Sequence, residues 1–127
     1  MDIKNILEDD KFAQFNGIEL VKIDKGCCEL KMKIQKHHLN GANTLHGGAI
    51  FTLADVAFAV ASNSYGDLAL GVNANIDYFK AIDSGEIVAK ARELNRSRKL
   101  ATYAVDIFHN ENLISTFSGT VYIKTIG

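Results

Sequence analysis

Gly47 and Asp55 are the residues of this chain whose types and spacing suit chemistry, and His46 stands beside the first of them. Both belong to the stretch from Leu45 to Gly66, LHGGAIFTLADVAFAVASNSYG. Between Ala49 and Ala61 only Thr52 and Asp55 are polar, and no proline or glycine interrupts the run. Strands normally stop within about eight residues, so the run reads as a helix. The first N–H groups of a helix lack intrahelical partners, and the helix dipole favours negative charge there. A glycine at that end lets a substrate carbonyl approach its N–H, where the developing oxyanion is stabilised. Asp55 is an acid in an oily setting, and burying an unpaired carboxylate is costly. It suits a general base for water or a direct nucleophile on an acyl carbon, and the residues alone leave both open. A structural reading is open too, in which Asp55 is a buried acid hydrogen-bonded to a loop and His46 merely holds the helix start. As a functional group, His46 would orient a water, a leaving group or the loop.

Gly47 and Asp55 cannot act together within one chain. Eight residues of helix rise by roughly 12 Å, whereas a reacting carbonyl needs its oxyanion donor and its attacking group each within about 3 Å. Two antiparallel helices across a two-fold axis bring Gly47 of one copy opposite Asp55 of the other. Such an interface generates two equivalent sites per dimer.

The rest of the chain bounds the answer. At 127 residues it reads as a single domain, residues 1–127, with an ordinary soluble composition of 47% apolar and 23% charged residues. A net charge of −1 gives no case for a nucleic-acid or membrane partner. The apolar run is too short to span a bilayer, which takes about 20 residues. The start MDIKNILEDDKF has no apolar segment behind a basic head, and Cys27 and Cys28 are adjacent and poorly placed for a disulfide framework, so a reduced cytoplasmic protein is expected. His37, His38 and His46 lack a cysteine or acid at ligand spacing, and no metal is expected. The His-Gly-Gly segment neither follows a βαβ strand nor carries the Lys-Ser/Thr of a phosphate loop.

The positioning elements follow in order. A short amphipathic helix is expected over Asp2–Asp10, and strands over Gly17–Asp24 and Cys28–Gln35. The second is the clearest, because Cys28, Leu30, Met32 and Ile34 alternate with Glu29, Lys31, Lys33 and Gln35. A polar loop, His37–Thr44, delivers the chain to the central helix. Strands are then expected at Val72–Tyr78, Glu86–Leu94, Leu100–Phe108 and Leu113–Ile123, the last two joined by a His109–Asn112 hairpin. Separate runs of strands around a lone helix indicate an α+β fold with an antiparallel sheet. A helix apolar on every side needs the sheet to curl around it and a second copy to cover the rest.

These residues also carry a resemblance. HGGAIFTLADVAFAVASNSYG, with Asn40 six residues before the histidine, resembles the hotdog-fold thioesterases of the phenylacetic-acid-degradation (PaaI-like) family. NANIDYFKAIDSGEIVAKAREL resembles that family's third and fourth strands, and RKLATYAVDIFHNENLISTFSGTVYI its fifth and sixth, so nearly the whole chain is covered. The resemblance implies a central helix wrapped by a curved antiparallel sheet of about six strands. It also implies homodimers with a continuous sheet, commonly homotetramers, and hydrolysis of acyl-CoA thioesters with no cofactor beyond the substrate's own CoA. Carried over by position, Asp55 matches the family's catalytic acid and Gly47 the glycine whose N–H polarises the carbonyl. Asn40 and His46 match residues that support the nucleophilic water or the thiolate, and Gly48 is expected as a further substrate contact.

Two departures are visible. The family's proline after the third strand is replaced within Phe79-Lys80-Ala81-Ile82-Asp83, which alters a turn. A helper hydroxyl found on the third strand of some relatives has no match among Gly71, Asn73 and Asn75, which leaves Asn73 as its substitute. Arg96, Arg98 and Lys99 form the densest basic cluster, suited to CoA phosphates or simply to an exposed turn. The acyl group is expected to be aryl-acetyl (phenylacetyl-type) or medium-chain, in a pocket whose depth depends on Phe51, Phe58 and Tyr78. A hotdog hydratase or dehydratase and a non-catalytic acyl-CoA-binding dimer are the alternatives.

Overall fold

The computed structural model of the chain describes residues 3–124, with side chains from Ile6 onward. Two short helices, α1 (Ile3–Glu8) and α2 (Lys11–Phe15), replace the single expected N-terminal helix, whose first residue Asp2 lies outside the described residues. Asp10 makes the break. Its backbone is extended and its side chain accepts the Ala13 N–H at 2.9 Å, so it caps a second helix instead of ending the first. Gly17, expected to open a strand, sits at φ 71° in the turn that leaves α2.

Six strands follow around one long helix: β1 (Glu19–Asp24), β2 (Cys27–Lys33), α3 (Gly47–Ser62), β3 (Leu68–Tyr78), β4 (Glu86–Arg96), β5 (Leu100–His109) and β6 (Asn112–Lys124). They form one sheet in the order β1-β2-β4-β5-β6-β3, with every neighbouring pair antiparallel. The expected period-2 face of β2 is present, with Cys28, Leu30 and Met32 buried. The β5–β6 hairpin turns through Asn110 and Glu111, both at positive φ, the geometry that matches strand twist in a two-residue loop.

The sheet wraps α3. Leu53, Ala54, Ala57, Phe58, Val60 and Ala61 on the helix are buried together with Leu30, Met32, Ile87, Tyr103, Val105 and Phe117 on the strands. Phe58 is the central wedge, its ring 5.4 Å from that of Phe117 and 6.0 Å from that of Tyr103. Glycine is needed beneath it, because a Cβ at Gly119 would stand 2.8 Å from Phe58 Cζ and one at Gly71 3.0 Å from Phe58 Cε2. Cys28 lies under the helix, its thiol donating to the Ala57 carbonyl, and burial pushes that thiol up to about 12.

One stripe of α3 stays uncovered by its own chain. Gly48 and Asp55 are exposed, and Phe51, Thr52 and Ala59 between and beyond them are only partly covered. That spacing is one face of a 3.6-residue helix. Beside it, β3 is a sheet edge with Leu70 and Val72 at 52% and 61% exposure.

Candidate active site

The start of α3 is positioned by a stapled loop. A short 3-10 turn, Lys36–His38, leads into it, and the His38 carbonyl accepts the His46 N–H at 2.8 Å. The His38 ring is itself buried, accepting the Gln35 N–H at Nδ1 and meeting Asn16 Oδ1 through Nε2 at 3.0 Å. Desolvation, then neighbouring His37, lowers its pKa below the usual histidine range, so it is a neutral brace between α2 and the loop. Asn40 builds the loop from within. Its Oδ1 accepts the N–H groups of Ala42 (2.9 Å) and Thr44 (3.1 Å), and its Nδ2 donates to Thr44 Oγ1. On the far side, Leu45 N–H is bonded to Ile82 O at 2.7 Å, which pins the segment where the expected proline is missing.

His46 is the N-cap of α3. Its Nδ1 accepts the Gly48 N–H at 2.8 Å, which places the ring proton on Nε2. Gly48, expected to touch substrate, therefore gives its N–H to His46, and a Cβ there would crowd Nδ1 at 3.0 Å. The Gly47 N–H takes no partner among the described residues. Gly47 lines a cleft of about 340 Å³ with Leu45, Ile50, Tyr78, Phe79 and Lys80. Tyr78 donates its hydroxyl to the Gly47 carbonyl at 3.0 Å, a contact across 31 residues that no local pattern announces. Alternation along β3 predicts which face carries Tyr78, but not that contact.

Asp55 lies two turns along the uncovered stripe. It is exposed and makes no hydrogen bond or ion pair with any described residue, so the paired, buried acid of the structural reading is not what the fold contains. Desolvation by its apolar surroundings, and then the nearby Asp10 carboxylate, raise its pKa above the ordinary value of 3.8. Asn73 is exposed next to a register irregularity in β3, paired across to Thr120.

The basic cluster divides. The Arg96 guanidinium turns inward, 3.9 Å from the Tyr65 ring centroid, and pairs with Asp67 at 3.7 Å and Glu93 at 3.9 Å. Glu93 also accepts the hydroxyls of Tyr103 (2.7 Å) and Tyr65 (3.1 Å). Arg98 and Lys99 are exposed in the β4–β5 turn. This turn adjoins the C-terminal end of α3, with the length of a 16-residue helix, about 24 Å, between it and Gly47.

A helix N-terminus with an open N–H on an apolar cleft, an unpaired acid on the same helix and a sheet wrapped around both match a known class. Residues 42–115 match the model of the thioesterase superfamily. The structure superposes on that of the PaaI protein from the phenylacetic acid degradation operon of Escherichia coli with a TM-score of 0.92 at 29% identity, covering 98% of this chain and 90% of that one. The fold is the hotdog fold, and the chain is a thioester hydrolase by class. Among sequences, a provisionally named esterase of Archaeoglobus fulgidus is 44% identical over 91% of this chain and 76% of its own length. The acyl-coenzyme A thioesterase PaaI of Escherichia coli is 31% identical over 88% of this chain and 81% of its own. The chain belongs to the thioesterase superfamily, in its PaaI-like acyl-CoA thioesterase family.

Proposed function

We propose that this chain hydrolyses aryl-acetyl-CoA thioesters at sites shared between two copies, and that the Gly47 N–H of one copy and Asp55 of the other carry the reaction. The observation that carries this reading is an open Gly47 N–H at the start of α3 together with an unpaired Asp55 on the uncovered stripe of the same helix. The two are too far apart to meet in one chain, and the edge of β3 offers a second copy a strand to extend. The thioester oxygen takes the Gly47 N–H as negative charge develops on it. As general base, Asp55 removes a proton from water while the water oxygen bonds to the acyl carbon; the C–S bond then breaks, and the CoA thiolate leaves and is protonated. As nucleophile, the Asp55 carboxylate bonds to the acyl carbon as the C–S bond breaks and the CoA thiolate leaves and is protonated; water then opens the resulting anhydride to the same free acid and regenerates the carboxylate. Asn40 and Thr44 hold the loop, His46 fixes the helix start, and Asn73 approaches from β3.

Tyr78 and Phe79 in the cleft favour a flat aryl group, which packs offset or edge-on against aromatic rings; medium-chain acyl groups are the second class. In an antiparallel helix pair the partner's C-terminal end lies near Gly47, which brings the partner copy's basic turn toward the CoA phosphates. Arg98 and Lys99 suit that contact better than Arg96, which is engaged inside its own chain. Dimers pairing further into tetramers, and residence in the cytoplasm with both thiols free, belong to the same reading. A hydratase would need a histidine base, and while His46 caps α3 its acceptor nitrogen is occupied.

The test is release of free thiol from phenylacetyl-, hydroxyphenylacetyl-, benzoyl- and medium-chain acyl-CoA, comparing the parent with Asp55→Asn. Turnover of an aryl-acetyl substrate that falls by about 10²-fold or more in the variant supports the assignment. Unchanged release in Asp55→Asn sinks the site, and binding without release points to the non-catalytic dimer.

A further inference from the structure

Gly47 is gripped from the sheet. The Tyr78 hydroxyl donates to its carbonyl at 3.0 Å, and the phenol ring lies against the same residue: a Cβ built at Gly47 would stand 3.1 Å from Tyr78 Cζ, 3.3 Å from its oxygen and 3.5 Å from Cε1. The strand end that delivers this ring is itself fixed. Phe79 N–H is bonded to the Ile114 carbonyl at 2.8 Å, and Ser115 Oγ donates to the Asp77 carbonyl at 2.7 Å. A ring on a pinned strand end therefore meets the first turn of α3 through both a directional bond and a flat face. Tyr78 is nonetheless 48% exposed, its remaining surface opening on the cleft.

We propose that Tyr78 is the positioning residue of the Gly47 amide, its hydroxyl holding the first turn of α3 so that the free N–H faces the cleft, and its ring crowding any side chain at position 47. This rests on the reading that the Gly47 N–H receives the thioester oxygen, and it revises one part of the sequence argument. There, glycine is needed so that substrate can approach; here a methyl group would press on the protein's own phenol, which must give by a few tenths of an ångström, before any substrate arrives. Desolvation raises the Tyr78 pKa, so the phenol stays a neutral donor across the physiological range.

The experiment uses Tyr78→Phe, Tyr78→Leu, Gly47→Ala and the double variant Gly47→Ala/Tyr78→Leu in the full chain, with Asp55→Asn run in the same assay. The readouts are kcat and KM on whichever acyl-CoA the parent turns over, and the thermal midpoint. Tyr78→Phe keeps the ring and loses the bond that aims the first turn, so kcat should fall about five- to tenfold with KM within about twofold, while the midpoint falls by no more than the few degrees one such bond supports. Gly47→Ala should lower the midpoint in the parent background but much less beside Tyr78→Leu, where the clash is gone. Unchanged kcat in Tyr78→Phe, or a fall that only tracks a lost midpoint, overturns the positioning role. An equal effect of Gly47→Ala in both backgrounds overturns the crowding by the ring. If Asp55→Asn abolishes turnover while Tyr78→Phe changes nothing, this inference alone fails; if Asp55→Asn leaves turnover intact, the shared-site reading fails instead.

Discussion

The two ends of α3 are built on opposite plans. At the C-terminal end polar groups close on one another, except that Arg96 Nη1 is buried with only the 3.9 Å ion pair to Glu93 and no hydrogen bond. Asn63 donates to the Ala59 and Ala69 carbonyls and accepts the Ala69 N–H, while Glu93 gathers two tyrosine hydroxyls and the Arg96 guanidinium. At the N-terminal end the scaffolding is equally dense around Asn40, His38 and His46, yet the Gly47 N–H is left without a described partner and Asp55 stands unpaired further along. Closed polar groups hold the helix in the sheet. Open ones, aimed by closed neighbours, are what a reaction can use.

The contrast is broken most severely at Asp55. Asp55→Asn should lower thiol release by about 10²-fold or more. Provided that Gly47→Ala chains alone are inactive, mixing them with Asp55→Asn chains should return about a quarter of parental activity, because half the random dimers are mixed and each has one intact site. Mixtures no better than the separate variants would exclude the shared site. The same substitution should raise the thermal midpoint at neutral pH. Asp55's folded-state pKa is raised, so its carboxylate disfavours the fold once ionised, and an amide removes that penalty. The gain should vanish below pH 3.8, the ordinary carboxylate value, as the acid becomes protonated in folded and unfolded states alike.

Much of this was legible in the residues, and the gaps have physical causes. The run from Ala49 to Ala61 announces a helix because nothing in it can stop one, and the alternation in β2 announces its buried face. The split at Asp10 was not legible, since an aspartate that ends one helix and one that caps the next differ only in ψ. Asp55 stands out in the sequence as the one acid of an oily helix, but whether it is buried or open depends on which stripe of α3 the sheet leaves uncovered. That the Gly48 N–H is taken by the His46 ring is likewise visible only in the fold. Arg96 sits in the densest basic cluster but is claimed by Tyr65, Asp67 and Glu93, partners that only the folded chain brings together.

The closed end is tested next. Glu93→Ala would strand the Tyr103 hydroxyl, whose residue is 0% exposed, and should lower unfolding stability by about 1–3 kcal/mol in a urea titration while kcat of the folded enzyme holds. A fall in kcat without loss of stability would show that this end also takes part in turnover. A milder adjustment comes from Asp10, whose charge contributes to the raised pKa of Asp55. If Asp55 acts as its ionised form, activity is lost as pH falls through that raised pKa. Asp10→Asn, which keeps a capping side chain, should move the acid limb of the pH–rate profile to lower pH. An unmoved limb would mean that another group sets it.

The smallest effect should fall on the basic turn, where the two plans meet within a few residues. Arg96 is held inside its own chain by ion pairs to Asp67 and Glu93, though its Nη1 makes no hydrogen bond, and Arg98 is exposed. If the turn reaches the CoA phosphates of the neighbouring site, Arg98→Ala should raise KM about two- to fivefold with kcat unchanged. That difference should shrink as salt screens an exposed charge. Arg96→Ala should instead lower the thermal midpoint, since it removes the guanidinium stacked on Tyr65 at 3.9 Å. A reversed pattern, with KM moved by Arg96 and stability by Arg98, would mean that Arg96 leaves its own chain's partners when substrate binds. The closed end of α3 would then be closed only until the CoA arrives.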